Sequence, residues 1–270
     1  MAITTRDALI AALAGAQHFE INKASATTEG AGTWQSLWKT AGYPPAGSNP
    51  PAYTAGSGYV PTKATVGALP WVGPDVGEST YLGLVTATFA TAGALILYDR
   101  LWACSGFSTT VTTAQNVTAP GTVDRPNTTG EGVEIWGEIY TAPGATTATW
   151  TVSYTNSAGV SGRSATYTHP ANAETVGQMV RFALQAGDTG VQSVQSLTCS
   201  VSSGTAGDIG ITLMRRLAIL PGPIINVGAV ADFFSLGGAD VYDDSCIALM
   251  VQCTTTNSGQ ILGHVAVIQG

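Results

Sequence analysis

Few side chains in this 270-residue chain have both the type and the spacing that reaction chemistry needs. The densest carboxylates are Glu131 with Glu134, and Asp240 with Asp243 and Asp244; neither group has a histidine beside it. Two carboxylates brought to within about 5–10 Å can hydrolyse a glycosidic bond, yet nothing in the sequence favours one pair over another. The Asp240–Asp244 loop offers the hard oxygens that calcium prefers, but it lacks the alternating spacing of a calcium loop and reads as a solvated turn. His18, His169 and His264 are scattered, and the six-residue gap between Cys246 and Cys253 matches no usual zinc spacing. His169, just before Pro170, is expected at an exposed turn, and His264 at a structural position in a terminal strand. Cys104, Cys199, Cys246 and Cys253 are expected as reduced, buried thiols in strands, the alternative being a Cys246–Cys253 bridge across a hairpin. Serines abound, but no Gly-x-Ser-x-Gly elbow and no phosphate-cradling glycine loop with a lysine is present, and Gly159 to Gly162 reads as a turn. The sequons at Asn116 and Asn127 matter only on a eukaryotic secretory route. The expectation is a non-enzymatic protein without metal or cofactor.

What the sequence does specify is scaffold. From Thr147 to Val201 it alternates Thr, Val, Tyr and Trp with period two, broken by Asn, Ser and Gly, which is the pattern of half-buried strands and tight turns. Strands are expected at Val133 to Tyr140, Thr147 to Tyr154, Arg163 to Thr168, Val180 to Leu184, Val191 to Val201, Ile209 to Leu220, Cys246 to Thr254 and Gln260 to Ile268. The similar phrases ending in Asn156 and Thr168 read as hairpin partners. Short strands without intervening helices predict a mainly β chain folded as an antiparallel sandwich, jelly-roll-like. Pro221-Gly-Pro223 marks a break, so Gly222 to Asp244 is expected as a long contact loop carrying Phe233 and Phe234.

Only 10% of residues are charged, against 33 glycines and 13 prolines, so the surface must be polar without being ionic. Such a surface suits a protein covered by neighbouring copies or partners, a trait that a secreted β-sandwich would share. A net charge of −7 leaves no electrostatic footprint for nucleic acid. The only adjacent basic pair, Arg215-Arg216, sits in an apolar run and is expected to put one Arg on each face of a strand, the inward one salt-bridged or at an interface. The N-terminus is a poor signal peptide, and no window approaches the length of a membrane span, the best being Leu82 to Leu97.

The first 90 residues read differently. Thr4 to Ala16 carries apolar residues at helical spacing with a threonine N-cap and Asp7 at the positive end of the dipole, so a short amphipathic helix is expected, ending near Gly15. Ser25 to Pro74 dissolves into Gly, Pro, Ala, Ser and Thr with isolated aromatics. Disordered segments are poor in aromatics, so this reads as an extended arm whose Trp34, Trp38, Tyr43, Tyr53, Tyr59 and Trp71 anchor it on another surface, the alternative for each being packing on the chain's own sandwich. Thr33 to Gly42 is expected as one or two helical turns with Trp34, Leu37 and Trp38 on one face. The domain plan is therefore a helix and extended Gly/Pro/aromatic arm over residues 1–90, and the β-sandwich over 91–270.

Four segments carry a resemblance: Leu97-Tyr-Asp-Arg-Leu-Trp-Ala-Cys-Ser-Gly-Phe-Ser, Ser153-Tyr-Thr-Asn-Ser-Ala-Gly-Val-Ser-Gly-Arg, Leu184-Gln-Ala-Gly-Asp-Thr-Gly-Val-Gln-Ser-Val and Gly263-His-Val-Ala-Val-Ile-Gln-Gly. Together with a weaker echo at Thr28 to Trp38, they resemble virion structural proteins of tailed bacteriophages. The resemblance implies a capsid cement or decoration protein, made in the bacterial host cytoplasm and seated on the capsid surface. Its implied partners are the major capsid protein and copies of itself in a symmetric oligomer, commonly a trimer, with neither nucleic acid nor membrane involved. The alternative is a tail or baseplate adhesin holding a host glycan through Trp136, Trp150, Asp240 and Asp243.

Overall fold

The computed structural model describes residues 3–25, 30–55, 59–75, 77–170, 174–205 and 207–270. Its helix is α1 (Arg6–Ala14), and the strands that follow are β1 (Gln17–Lys23), β2 (Trp34–Ser36), β3 (Gly42–Tyr43), β4 (Thr80–Phe89), β5 (Gly93–Ser108) and β6 (Gln115–Asn116). Next come β7 (Glu134–Thr141), β8 (Ala148–Asn156), β9 (Arg163–His169), β10 (Gln178–Arg181), β11 (Val191–Cys199) and β12 (Asp208–Gly222). The last are β13 (Gly228–Asp232), β14 (Asp240–Val241), β15 (Ile247–Cys253) and β16 (Ile261–Gln269).

All of the strand pairings are antiparallel, and they build three layers. The middle layer is a closed barrel in the order β10-β2-β15-β5-β12-β7. One flank is the sheet β13-β4-β16-β1-β3, with β14 also on β4, and the other is β6-β11-β8-β9. Each layer boundary is an apolar seam. Leu95, Leu97, Leu249 and Val251 of the barrel meet Val85, Phe89, Val265 and Val267 of the first sheet. Leu101, Ile135, Ile139 and Ile211 meet Trp150, Val152, Val194 and Leu197 of the second. The barrel interior holds Trp38, Ile96, Tyr98, Trp136, Met214 and Met250.

The long strands β5 and β12 serve both seams because they change face. Register shifts fall between Leu213 and Met214 and between Arg216 and Ala218. Each inserts a residue into a period-two strand and so moves the following side chains to the other face. Ile209, Ile211 and Leu213 thus face one sheet, whereas Ala218 and Leu220 face the other. Gly106, at φ +84°, sits at a third shift, in the left-handed region where a side chain would be strained.

The chain is mainly β and antiparallel, as the turn and alternation signals require. It differs from the expected two-sheet sandwich because β2 pairs with β10 on one side and β15 on the other, which turns the central sheet into a barrel. For the same reason Thr33 to Gly42 forms no helical turns: backbone pairing on both edges holds Trp34–Ser36 extended, and it sends Leu37 to an outer seam and Trp38 inward. Residues 1–90 supply β1, β2, β3 and β4, with β1 and β4 flanking β16, so the strands of this stretch are part of the sheets, while its described residues between β3 and β4 join the strands through isolated bridges at Ala52 and Tyr59. The strands expected from residue 133 onward lie within a few residues of β7, β8, β9, β10, β11, β12, β15 and β16, and β8 pairs with β9 as the hairpin reading required. The Thr5 side chain caps α1 by accepting the Ala8 N–H at 3.1 Å, and Leu9 and Ala12 dock on Tyr81 and Ile268. No described helix is long and apolar enough to cross a membrane.

Candidate functional site

The barrel interior holds an ion pair between Arg100 and Glu138, 2.9 Å apart and both fully buried. Tyr140 donates its hydroxyl to the same carboxylate at 2.7 Å, and Arg100 also donates to Thr212 at 3.1 Å and lies 4.7 Å over the Trp38 ring. Burial raises the Tyr140 phenol well above its ordinary pKa, so it stays a neutral donor. On the outer side of β5, Asp99 accepts from the Cys246 N–H at 2.8 Å, the Ser245 hydroxyl at 2.7 Å and, more distantly, Arg125. Both groups are buried and bonded to neighbouring side chains or backbone, although Arg100 Nε and Nη1 and Glu138 Oε1 make no hydrogen bond among the described residues and Glu138 also lines a separate cavity. They brace the barrel wall, as buried charges must be paired to persist.

One end of the barrel opens into a cavity of about 370 Å³, lined by Trp34, Trp136, Tyr167, Arg181, Arg216 and Ile219 among others. Three strands bring its charged groups together. Glu134 at the start of β7 accepts from Arg181 of β10 at 3.0 Å and from Arg216 of β12 at 2.8 Å. Its other oxygen accepts the Trp136 indole N–H at 2.8 Å. Arg215 faces the other way, donating to the Asp240 carbonyl at 2.6 Å and lying over Tyr242. The one-on-each-face reading of this Arg pair therefore holds, but the salt-bridged member is Arg216, the more exposed of the two, while the less exposed Arg215 bonds a backbone carbonyl instead. Two guanidiniums share one carboxylate here, which leaves a local excess of one positive charge on an acidic chain.

The six aromatics expected to contact a partner fall into two groups. Trp38 and Trp71 are spent on the chain's own core, at 2% and 3% exposure. Their indoles donate to the Ser48 and Ser245 carbonyls at 2.8 and 3.0 Å, so each is held in place and closed to a neighbour. Tyr53 stacks on Phe107 with rings 4.6 Å apart. Tyr59 bridges to Ala103, Tyr43 is exposed, and Trp34 alone lines the mouth. The four residues named for a glycan adhesin are not brought together: Trp150 is fully buried, and Asp240 and Asp243 line a different cavity from Trp136.

His169 contradicts its expected exposure. It is fully buried at the end of β9, stacked on Trp150 with centroids 4.9 Å apart, bonded to the Gly144 carbonyl at 2.7 Å and paired with Glu174. Strand β9 simply continues one residue further than its alternation reveals. His264 occupies its expected strand position, stacked on His18. The four cysteines are buried, and no bridge links Cys246, inside the barrel, to Cys253 in an outer seam. Asp243 is bonded to Lys63, consistent with a surface turn. Sequence reasoning missed Arg181, Tyr167 and Ile219, whose only signal is their place on strands.

The excursion after Pro221 forms β13 and β14 on the edge of the first sheet. Ala229 and Ala231 pack inward, while Val230 at 68% and Phe234 at 75% stand exposed. Register places Val230 beside Thr86 and His264, and Gly228 beside Thr88 and Leu262, so Val230 and Leu262 share the outward face. Ile224, Ile225 and Val227, all more than half exposed, extend this apolar rim. β13 pairs only with β4, which leaves its outer edge unpaired among the described residues.

No family model matches the chain, and no curated protein matches it. Among solved structures, the infectious bursal disease virus VP2 subviral particle aligns at 13% identity over 76% of this chain and 46% of that one, with a TM-score of 0.19. The Gt strain of the same virus aligns at 10% identity over 94% and 82%, with a TM-score of 0.16. The chain spans about half the length of the first of these. Scores this low do not mark a shared fold.

Proposed function

We propose that the chain is a non-enzymatic structural protein of a tailed-phage virion. It binds the outer capsid surface as a cement protein, bridging capsomers through contacts with the major capsid protein and with copies of itself in a symmetric oligomer such as a trimer. The observation that carries this reading is the outward face of the β13-β4-β16 sheet with its apolar rim, on a chain in which only 10% of residues are charged. A rim with Ile224, Ile225, Val227, Val230 and Phe234 in water is a liability for a free monomer and an asset for one that is covered. The unpaired β13 edge adds backbone donors and acceptors that a neighbouring strand can satisfy. The phage resemblance of the segments in β5, β8, β11 and β16 supplies the particle.

Added to purified capsids stripped of accessory proteins, the chain should raise the temperature at which they release DNA, in a saturable manner. An unchanged release temperature at saturating chain would overturn the cement role. The second reading, a tail or baseplate adhesin, is favoured by a single observation, the aromatic and basic barrel mouth.

A further inference from the structure

We infer that the barrel mouth is a binding site for acidic polysaccharide, with Arg181 and Arg216 receiving the carboxylate of a hexuronic acid unit. This goes beyond the cement reading and holds wherever on a particle the chain sits. It also inverts the chemistry expected of a glycan site here, since the groups presented are basic, not acidic.

Three observations carry the inference. First, the charge is preorganised. Glu134 binds both guanidiniums through one oxygen and fixes the Trp136 indole through the other, so the two arginines are held close together without filling their own donor capacity. A guanidinium carries five N–H donors in a planar fork that matches a carboxylate. Arg181 and Arg216 remain 58% and 38% exposed, and Glu134, the carboxylate bonded to both, is 16% exposed, so the mouth keeps a net excess of one positive charge. An anion entering the mouth meets donors that need not move.

Second, the rest of the lining suits a sugar ring. Trp34 and Tyr167 provide aromatic surface, Met179 and Ile219 provide aliphatic surface, and Gln178 and Thr33 add polar groups. The volume of about 370 Å³ is in the range of sites that hold small organic ligands. The Tyr167 hydroxyl is tied to Glu174 at 2.8 Å, which fixes the ring in place.

Third, the site continues past one unit. Arg181 also lines a second cavity of about 370 Å³ with Phe182, Leu184 and Asp188. Asp188 does not repel an anion there, because Arg163 binds it at 2.8 and 3.0 Å and Asn156 at 2.7 Å. Two cavities sharing one arginine fit a linear polymer better than a single small acid.

The test is affinity electrophoresis of the full chain in gels containing polygalacturonate or alginate. Both polymers should retard it, more weakly as salt rises, whereas the carboxyl-reduced polymers should not. Arg181→Gln and Arg216→Gln should each weaken retardation at least tenfold with unchanged circular dichroism, since each side chain is well exposed and Glu134 keeps one partner. Failure to bind either polymer, equal retardation by the carboxyl-reduced forms, or indifference to both substitutions would overturn the site. Polyglutamate competing as well as the polysaccharides would also overturn it, in favour of an acidic peptide. None of these outcomes bears on capsid binding, which is measured with particles.

Discussion

A single buried residue shows why the barrel is braced with charge. Arg100 is inaccessible to solvent, and among the described residues its ionic partner is Glu138. Removing one member of such a pair leaves an uncompensated charge in a low dielectric, typically at a cost of about 3–5 kcal/mol, while replacing both by apolar groups is often neutral. Glu138→Ala should therefore lower the stability measured by urea unfolding by about that amount, and the double variant Arg100→Met with Glu138→Leu should recover most of it. If the double variant were as unstable as the single one, the pair would have to serve more than mutual neutralisation. None of this was legible in the sequence: Arg100 stands in an apolar run, and its partner comes 38 positions later on a strand whose place beside β12 depends on the whole fold. His169 was misread for the same reason, since Trp150, Gly144 and Glu174 surround it from elsewhere in the chain. The four cysteines are buried as expected, because a thiol packs among apolar neighbours as a small apolar side chain.

Among the elements, legibility followed the length and purity of the alternation. β8 buries every second residue from Ala148 to Asn156, and that period-two signal is local. β1 runs Gln-His-Phe-Glu-Ile-Asn-Lys with mixed exposure, and β2 is three residues long, so neither announces itself in composition. Yet β2 closes the barrel, while the more conspicuous α1 only packs at the edge, through Leu9 and Ala12. The two should respond oppositely to truncation. Deleting residues 1–15 should leave a soluble chain with its near-ultraviolet circular dichroism retained. Deleting residues 1–90 removes β1, β2, β3 and β4 together, and should yield insoluble or molten protein, as expected of exposed seams and open sheet edges. A well-folded 91–270 fragment would show that the barrel closes without β2.

For the molecule as a whole, the barrel packs between two sheets, and the low charge is legible in the sequence whereas the place of the apolar surface is not. The apolar face arises only when β13 docks on β4 and turns Val230 outward beside β16, with the Ile224–Val227 rim next to it. A bulky apolar side chain at the centre of a covered patch is where binding energy concentrates, and a charge placed there is costly to desolvate. The most direct test is co-sedimentation of the intact chain and of a Val230→Asp, Phe234→Asp variant with mature capsids stripped of accessory proteins. Saturable binding by the unmodified chain, lost or weakened at least tenfold in the equally folded variant, is the predicted result. Equal binding by both would contradict the assignment of this face, and no binding by either would contradict the capsid cement account itself.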